Sequence, residues 1–242
     1  MDPNHPFEAA IERLGRRNPL DAADREAIAA LPYVRKRVAA GAHLVRDGDR
    51  TENCAMLITG FAHRYKITGE GARQIVSLHL PGEFVDLHNS LLETADHSAQ
   101  TLTDAEIAFI PHHSIRSLAL ARPAVGQALW RETLIDASIF REWVMNVGRR
   151  DARARIAHIL CEFSLRLQAA GLAENHCYEL PMTQEQLADA VGLTSVHVNR
   201  VLRQLAEEGL IARQRRSIVI GDWKRMREAG DFSERYLHPE LS

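Results

Sequence analysis

The sequence lacks any apolar run approaching the length of a membrane span, which takes about 20 consecutive apolar residues. Its opening, MDPNHPFEAA, is acidic and broken by proline, so no signal peptide is expected. Cysteine is scarce. Cys54, Cys161 and Cys177 are odd in number, widely scattered and form no C-x-x-C pair. That gives no metal pattern, and a reducing cytoplasm is the expected setting. Catalytic signatures are missing too: there is no phosphate-cradling glycine loop, no nucleophile elbow and no triad cue. No His-x-His occurs, and His112 and His113 are adjacent, so on a strand they would point to opposite faces. A double-stranded β-helix metalloenzyme needs clustered ligands, so that class is set aside, with no catalytic residue, metal or cofactor expected.

What is present suits a chain built of more than one part. The chain has 242 residues, 45% hydrophobic and 26% charged, enough for one large domain or two modest ones. Its net charge of −2 argues by itself against nucleic acid, but the charge is uneven. Residues 149–227 hold 13 Lys and Arg against 9 Asp and Glu, a local +4 that leaves −6 elsewhere. A basic C-terminal part on an acidic partner fits DNA binding through one end; chance unevenness is the alternative.

The most informative stretch is Thr183 to Leu202, TQEQLADAVGLTSVHVNRVL. Leu187, Val191, Leu193, Val198 and Val201 are apolar where two short crossed helices share a core. Ala188 is small where they touch, and Gly192 falls in the turn, where positive φ is needed. Thr183 and Gln186 have the spacing of a capping box, and Thr194 can cap the second helix. That pattern predicts a helix-turn-helix, whose second helix offers Ser195, His197, Asn199, Arg200 and Arg203 to a major groove. The alternatives are two helices of an ordinary bundle, or a winged domain used on a protein partner.

Four blocks and a tail divide the chain. Residues 1–30 read as a helical arm with Ile11, Leu14, Leu20, Ile28 and Leu31 apolar, broken at Pro19 and restarting at Asp21. Residues 31–115 carry short apolar runs (HLV, CAMLI, AHRYKI, QIVSLHL, EIAFI) between glycine turns, the rhythm of an antiparallel β-roll. Residues 116–148 hold a long helix from Ala124 to Gly148 with two apolar stripes. Val125, Ala128, Ile135 and Ile139 form one, and Trp130, Leu134, Ala137 and Val144 the other. Two greasy faces need two partners: the roll and a second subunit, unless the helix is simply buried in one domain. The dimer interface is assigned to Val125, Ala128, Ile135 and Ile139. Asp151 can cap the next helix. Residues 149–222 read as a winged helix-turn-helix, with Arg215 and Arg216 in a basic turn before the strand SIVI, placed to meet phosphates. Residues 223–242 read as a tail. The fold class is therefore α+β: an N-terminal antiparallel β-roll of double-stranded β-helix type, a long dimerisation helix and a C-terminal winged helix-turn-helix.

Over about residues 30–222 this arrangement resembles the CRP/FNR family of bacterial transcription regulators. The resemblance rests on TQEQLADAVGLTSVHVNRVLRQLAEEGLI, on LPGEF and ITG in the roll, and on the hinge RRDARARIAHIL. It implies a roll that senses a small-molecule effector, a homodimer made by the long helix, a palindromic double-stranded DNA site and RNA polymerase as a partner. Thr183, Glu185, Thr194, Ser195, Val196, His197, Asn199, Arg200, Arg203, Arg215 and Arg216 then face DNA, with Arg200 in the place of the arginine that contacts guanine. The alternative for Arg200 is a surface ion pair with Glu207 or Glu208. The effector pocket maps to Phe84, Leu87, His97 and Ser98.

The departures are informative. Counting from Phe84, Leu87 falls where cAMP-binding members carry a glutamate, and His97 where they carry an arginine, with Ser98 and Ala99 retained. An imidazole, mostly neutral at pH 7, replaces the guanidinium, so cAMP is not the expected effector. The first cysteine is Cys54, so the N-terminal cysteine cluster of the iron–sulphur members is absent. Val196 stands where the family commonly reads cytosine with a glutamate, and can only press on something apolar such as a thymine methyl. His79, His88, His97, His112 and His113 lie in or near the roll. They leave a haem- or metal-dependent sensor as the alternative, although no two show a tight ligand spacing with a nearby Cys or carboxylate.

Overall fold

In the computed structural model, which describes residues 5–239, two short helices come first, α1 (Glu8–Arg17) and α2 (Ala22–Ala29). Asp21 starts α2 through a reciprocal capping box with Asp24, the restart expected after Pro19. Seven strands follow: β1 (Val34–Val38), β2 (His43–Val45), β3 (Asn53–Thr59), β4 (Ala62–Ile67), β5 (Arg73–His79), β6 (Ser98–Thr101) and β7 (Ala105–Pro111). They form two sheets, ordered β1-β7-β3 and β2-β6-β4-β5. β1 and β3 pair antiparallel with β7, and β2 and β4 with β6. Helices α3 (His112–Ala121), α4 (Pro123–Arg149) and α5 (Ala152–Ala169) come next. Then follow β8 (Cys177–Glu179), α6 (Gln184–Val191), α7 (Ser195–Glu207), β9 (Ile211–Gln214), β10 (Ser217–Ile220) and α8 (Trp223–Ala229). No helix among the described residues is long and apolar enough to cross a membrane.

The apolar run CAMLI has no alternation because both of its faces are covered. Ala55 and Leu57 pack inside the roll with Val45, Val85, Ala99 and Ile107. Cys54 and Met56 point the other way, into a cluster with Phe7, Ile11, Leu14, Ile28 and Ile110, as the two-residue period of a strand requires. β7 splits in the same manner, with Ile107 inside and Ile110 outside. Truncating such a fully buried side chain to alanine costs about 2–5 kcal/mol. In LPGEF, Gly82 has φ +83°, and a Cβ there would come within 2.8 Å of the Ala9 backbone carbon, so both conformation and space demand glycine.

Two compact units result. The first takes residues up to Lys66, Ser77–Ala137 and those from His238 on; the second takes Ile67–Val76 and Ser138–Leu237. The division falls within α4, between Ala137 and Ser138. The tip of the β4–β5 hairpin counts with the second unit.

Of the expected arm, the described residues 5–30 pack against the rest of the chain: Phe7, Ile11, Leu14 and Ile28 are buried in one cluster with Met56, Ile110, Val125 and Ala128. The described residues after 222 are not a tail. Met226, Phe232 and Leu237 are buried, and the Tyr236 hydroxyl lies 3.0 Å from His158 Nε2 and donates to Glu162 at 2.8 Å. Sparse apolar residues among many charges hid both segments' packing faces.

Candidate nucleic-acid interface

The helix-turn-helix forms from local rules. The Thr183 hydroxyl accepts from the Gln186 amide at 3.1 Å, and the Gln186 side chain accepts from the Thr183 amide at 2.8 Å. This reciprocal cap satisfies two of the donors left open at the start of α6. Gly192 ends α6 at φ +64°, with its amide donating to the Ala188 carbonyl. The nearest atom to a Cβ there would be 3.6 Å away, so it is the left-handed conformation, not crowding, that requires glycine. Thr194 caps α7 by accepting from His197 at 3.3 Å. Val198, Val201, Leu202 and Leu205 are buried along one side of α7.

The opposite side is free. Val196, Arg200 and Arg203 recur at i, i+4 and i+7 and so share one helical face; all three are exposed, Val196 at 79%. Ser195 is exposed at the helix start, and His197 and Asn199 are half-buried beside this face. Thr183 and Glu185 are exposed at the start of α6, where the Glu185 carboxylate also complements the helix dipole. Arg200 makes no hydrogen bond or ion pair among the described residues. The surface pair with Glu208 does not form, because Arg153 takes that carboxylate with both Nε and Nη2, and Gln204 donates to it at 2.9 Å. β10 pairs with both β8 and β9, in the order β8-β10-β9, and only Arg215 and Arg216 connect the wing strands, since Gln214 faces Ser217. Both arginines are exposed, and Arg215 has φ +56°.

The four residues assigned to an effector pocket all lie in the roll. Leu87 is buried in the cluster beneath α1 and α2, and the Ser98 hydroxyl accepts from the Asp47 amide at 3.1 Å. Phe84 is half-buried and bridges to Met56. His97 is buried, with Nδ1 2.8 Å from Asp96 Oδ1. The buried guanidinium of this region is Arg64, which donates to the Val85 carbonyl and to Asp136, both at 2.5 Å. Burial opposes charge on Asp136, yet the Arg64 charge holds its carboxyl below the ordinary value. His79 is a satisfied core histidine, 2.9 Å from the Ser77 hydroxyl. Burial and the Arg64 charge push its pKa down to about 4. His112 and His113 line a cavity of about 640 Å³ with Arg50, Asn89 and Arg116.

Comparison with known proteins matches both halves of the chain. A Crp-like helix-turn-helix domain matches residues 154–229, and a cyclic nucleotide-binding domain matches residues 35–122. The chain is 31% identical over 218 residues to the transcriptional activator protein FnrL of Cereibacter sphaeroides, covering 87% of each. The chain belongs to the CRP/FNR family of transcription regulators. It is also 30% identical over 188 residues to the nitrogen fixation regulation protein FixK of Rhizobium meliloti, covering 74% of this chain and 79% of that one. The solved structure of FixK2 from Bradyrhizobium japonicum has a TM-score of 0.77 at 24% identity, over 84% of this chain and 100% of that one. That similarity shows the CRP/FNR fold.

Within this CRP/FNR chain, one assignment from the sequence is corrected. Val125, Ala128, Ile135 and Ile139 are buried by their own chain, so they are not available to a second subunit. The exposed stripe is the other one. Trp130 is 67% and Leu134 54% exposed, and Ala137 and Val144 are exposed along the same line. The reason is α1 and α2. They cover Val125 and Ala128, a role that their reading as an arm concealed. Sequence reasoning also missed what holds the end of α6. The Ala190 carbonyl accepts from Gln74 at 3.2 Å and the Val191 carbonyl from Arg155 at 3.2 Å, while Arg73 pairs with Asp189 at 2.7 Å. Polar residues at a hairpin tip carry no sequence signal for such a contact.

Proposed function

We propose that the chain is a homodimeric, sequence-specific regulator of transcription that reads a palindromic double-stranded DNA site through α7. The observation that carries the reading is the unpaired face Val196–Arg200–Arg203, held by a fully capped helix-turn-helix. Arg200 is the base reader, in bidentate contact with guanine. Val196 meets a thymine methyl, and His197 and Asn199 add polar contacts at the edge. Ser195, Thr194, Thr183 and Glu185 line the groove wall, Arg203 extends the face, and Arg215 and Arg216 rest on phosphates.

The dimer forms through α4. Trp130, Leu134, Ala137, Arg141, Val144 and Gly148 are all exposed and follow the alternating four- and three-residue spacing of a coiled-coil seam. The roll up to about residue 115 is the sensor, residues 116–148 the dimerisation segment and the residues from 149 the DNA-binding part. A small molecule other than cAMP is the effector, RNA polymerase the partner at the promoter and the cytoplasm the setting. No catalytic step is assigned. Selection of binding sites from a random duplex pool tests this: the reading expects two inverted half-sites centred about 10 bp apart, on successive major grooves. A single unpaired half-site, or no enriched sequence, contradicts it.

A further inference from the structure

Two imidazoles and a carboxylate meet beside β6. His88 lies in the short 3-10 turn Leu87–Ser90, and Asp96 and His97 directly precede β6. The two rings are 5.0 Å apart between centroids. One donor atom from each of His88, Asp96 and His97 lies within 4.8 Å of the other two, and no other such group of His, Cys, Asp and Glu occurs among the described residues. His97 Nε2 is buried without a hydrogen-bond partner. A buried ring nitrogen with nothing opposite it is unfavourable, and a cation offers it a partner.

The local charge permits a cation. Arg64 is matched by Asp136 at 2.5 Å. Lys66, which donates to the Asp96 carbonyl, is matched by Asp47 at 2.8 Å. Burial, then the charge of Arg64, lowers the pKa of His88 to about 4, and burial lowers that of His97. The hydrogen bond with His97 holds the Asp96 carboxyl below its ordinary value, and that carboxylate is 81% exposed, so one edge of the group opens to solvent.

We propose that His88, Asp96 and His97 form a binding site for one divalent metal ion of the zinc class. Two nitrogens and one carboxylate oxygen suit such borderline ions better than magnesium or calcium, which take oxygen ligands. Tetrahedral ligands at zinc distances stand about 3.3 Å apart. The donors therefore close by up to about 1.5 Å, and Asp96 leaves its bond to His97 Nδ1 to reach an ion on Nε2, a movement that its exposed side chain can supply. The fourth position belongs to solvent or to an incoming ligand. The site stands where cAMP-binding relatives carry their phosphate-binding arginine, so it names an effector class for the proposed regulator. Metal binding itself is measured without DNA and does not depend on that reading.

The test uses full-length, chelator-stripped protein titrated with Zn²⁺ by calorimetry and with Co²⁺ by visible absorption. One ion per chain is expected, with the intense visible bands of four-coordinate Co²⁺. Asp96→Asn and His88→Ala are each expected to weaken binding at least tenfold with unchanged circular dichroism, and His113→Ala to leave it unchanged. Absence of stoichiometric binding, or equal affinity in the Asp96→Asn/His88→Ala double variant, overturns the site.

Discussion

Arg215 occupies a position that glycine would fill at lower energy. Its φ of +56° lies in the left-handed region, which costs an L-residue about 1–2 kcal/mol, and two-residue hairpin turns favour glycine there. An exposed cation at a strained site is accounted for if the charge meets DNA. Arg215→Gly is therefore expected to stabilise the fold by up to about 1 kcal/mol in urea titrations and to weaken specific and random duplexes alike. Unchanged DNA affinity contradicts the wing's role.

Buried histidines set a second residue-scale expectation. His79 and His158 are both lowered to about 4, His79 by burial and the Arg64 charge, His158 by burial and the Arg150 charge. Their folded pKa lies below the unfolded value of 6.5, so the native state holds the neutral ring. The stability they confer is complete above pH 6.5 and is lost as pH falls towards 4. By pH 5 the loss reaches about 2 kcal/mol for each. Urea midpoints at pH 7.5 and pH 5 check this, and His158→Gln is expected to flatten the slope. Stability that does not change between those pH values refutes it. Arg64 is a cation in the region where position 97 lacks the arginine of cAMP-binding members, but it is already paired with Asp136. A cyclic phosphate has to displace that carboxylate, so calorimetry with cAMP is expected to show no binding at micromolar concentrations. Micromolar affinity means that Arg64 exchanges partners.

At the scale of the element, α4 shows what periodicity reveals and what it leaves undecided. Both apolar stripes are plain in the sequence, because each recurs at helical spacing. Which one meets the protein's own chain depends on α1 and α2, whose packing with Val125 and Ala128 joins residues about a hundred positions apart. The exposed stripe makes the prediction. Leu134→Glu is expected to give monomers by light scattering with near-normal stability, since Leu134 is half exposed at 54%. Ile135→Ala is expected to cost about 2–5 kcal/mol of stability because the side chain is buried. A Leu134→Glu dimer defeats the seam. The helix-turn-helix, by contrast, was legible in full. Its caps, its turn glycine and its core residues lie within a few positions of one another, so local chemistry alone dictates them.

For the molecule as a whole, the roll followed by helices and a winged domain was legible from turn spacing and from the change of period near residue 115. What stayed hidden depends on distant partners: the hairpin-tip residues Arg73 and Gln74 on α6, Tyr236 on His158 and Glu162, and the meeting of His88 with Asp96 and His97. None of these pairings leaves a pattern along the chain, because each joins a single polar residue to a distant one. The central claim is that two copies of α7 read a palindrome, with Arg200 at a base edge. The most direct test titrates the unmodified chain and Arg200→Ala against the selected palindrome and a scrambled duplex, at several salt concentrations. The account predicts a loss of about 1–3 kcal/mol per half-site on the palindrome, with relaxed preference at one base pair of each half-site and little change on the scrambled duplex. An equal loss on both duplexes, with a reduced salt slope, would make Arg200 a phosphate contact and contradict the account.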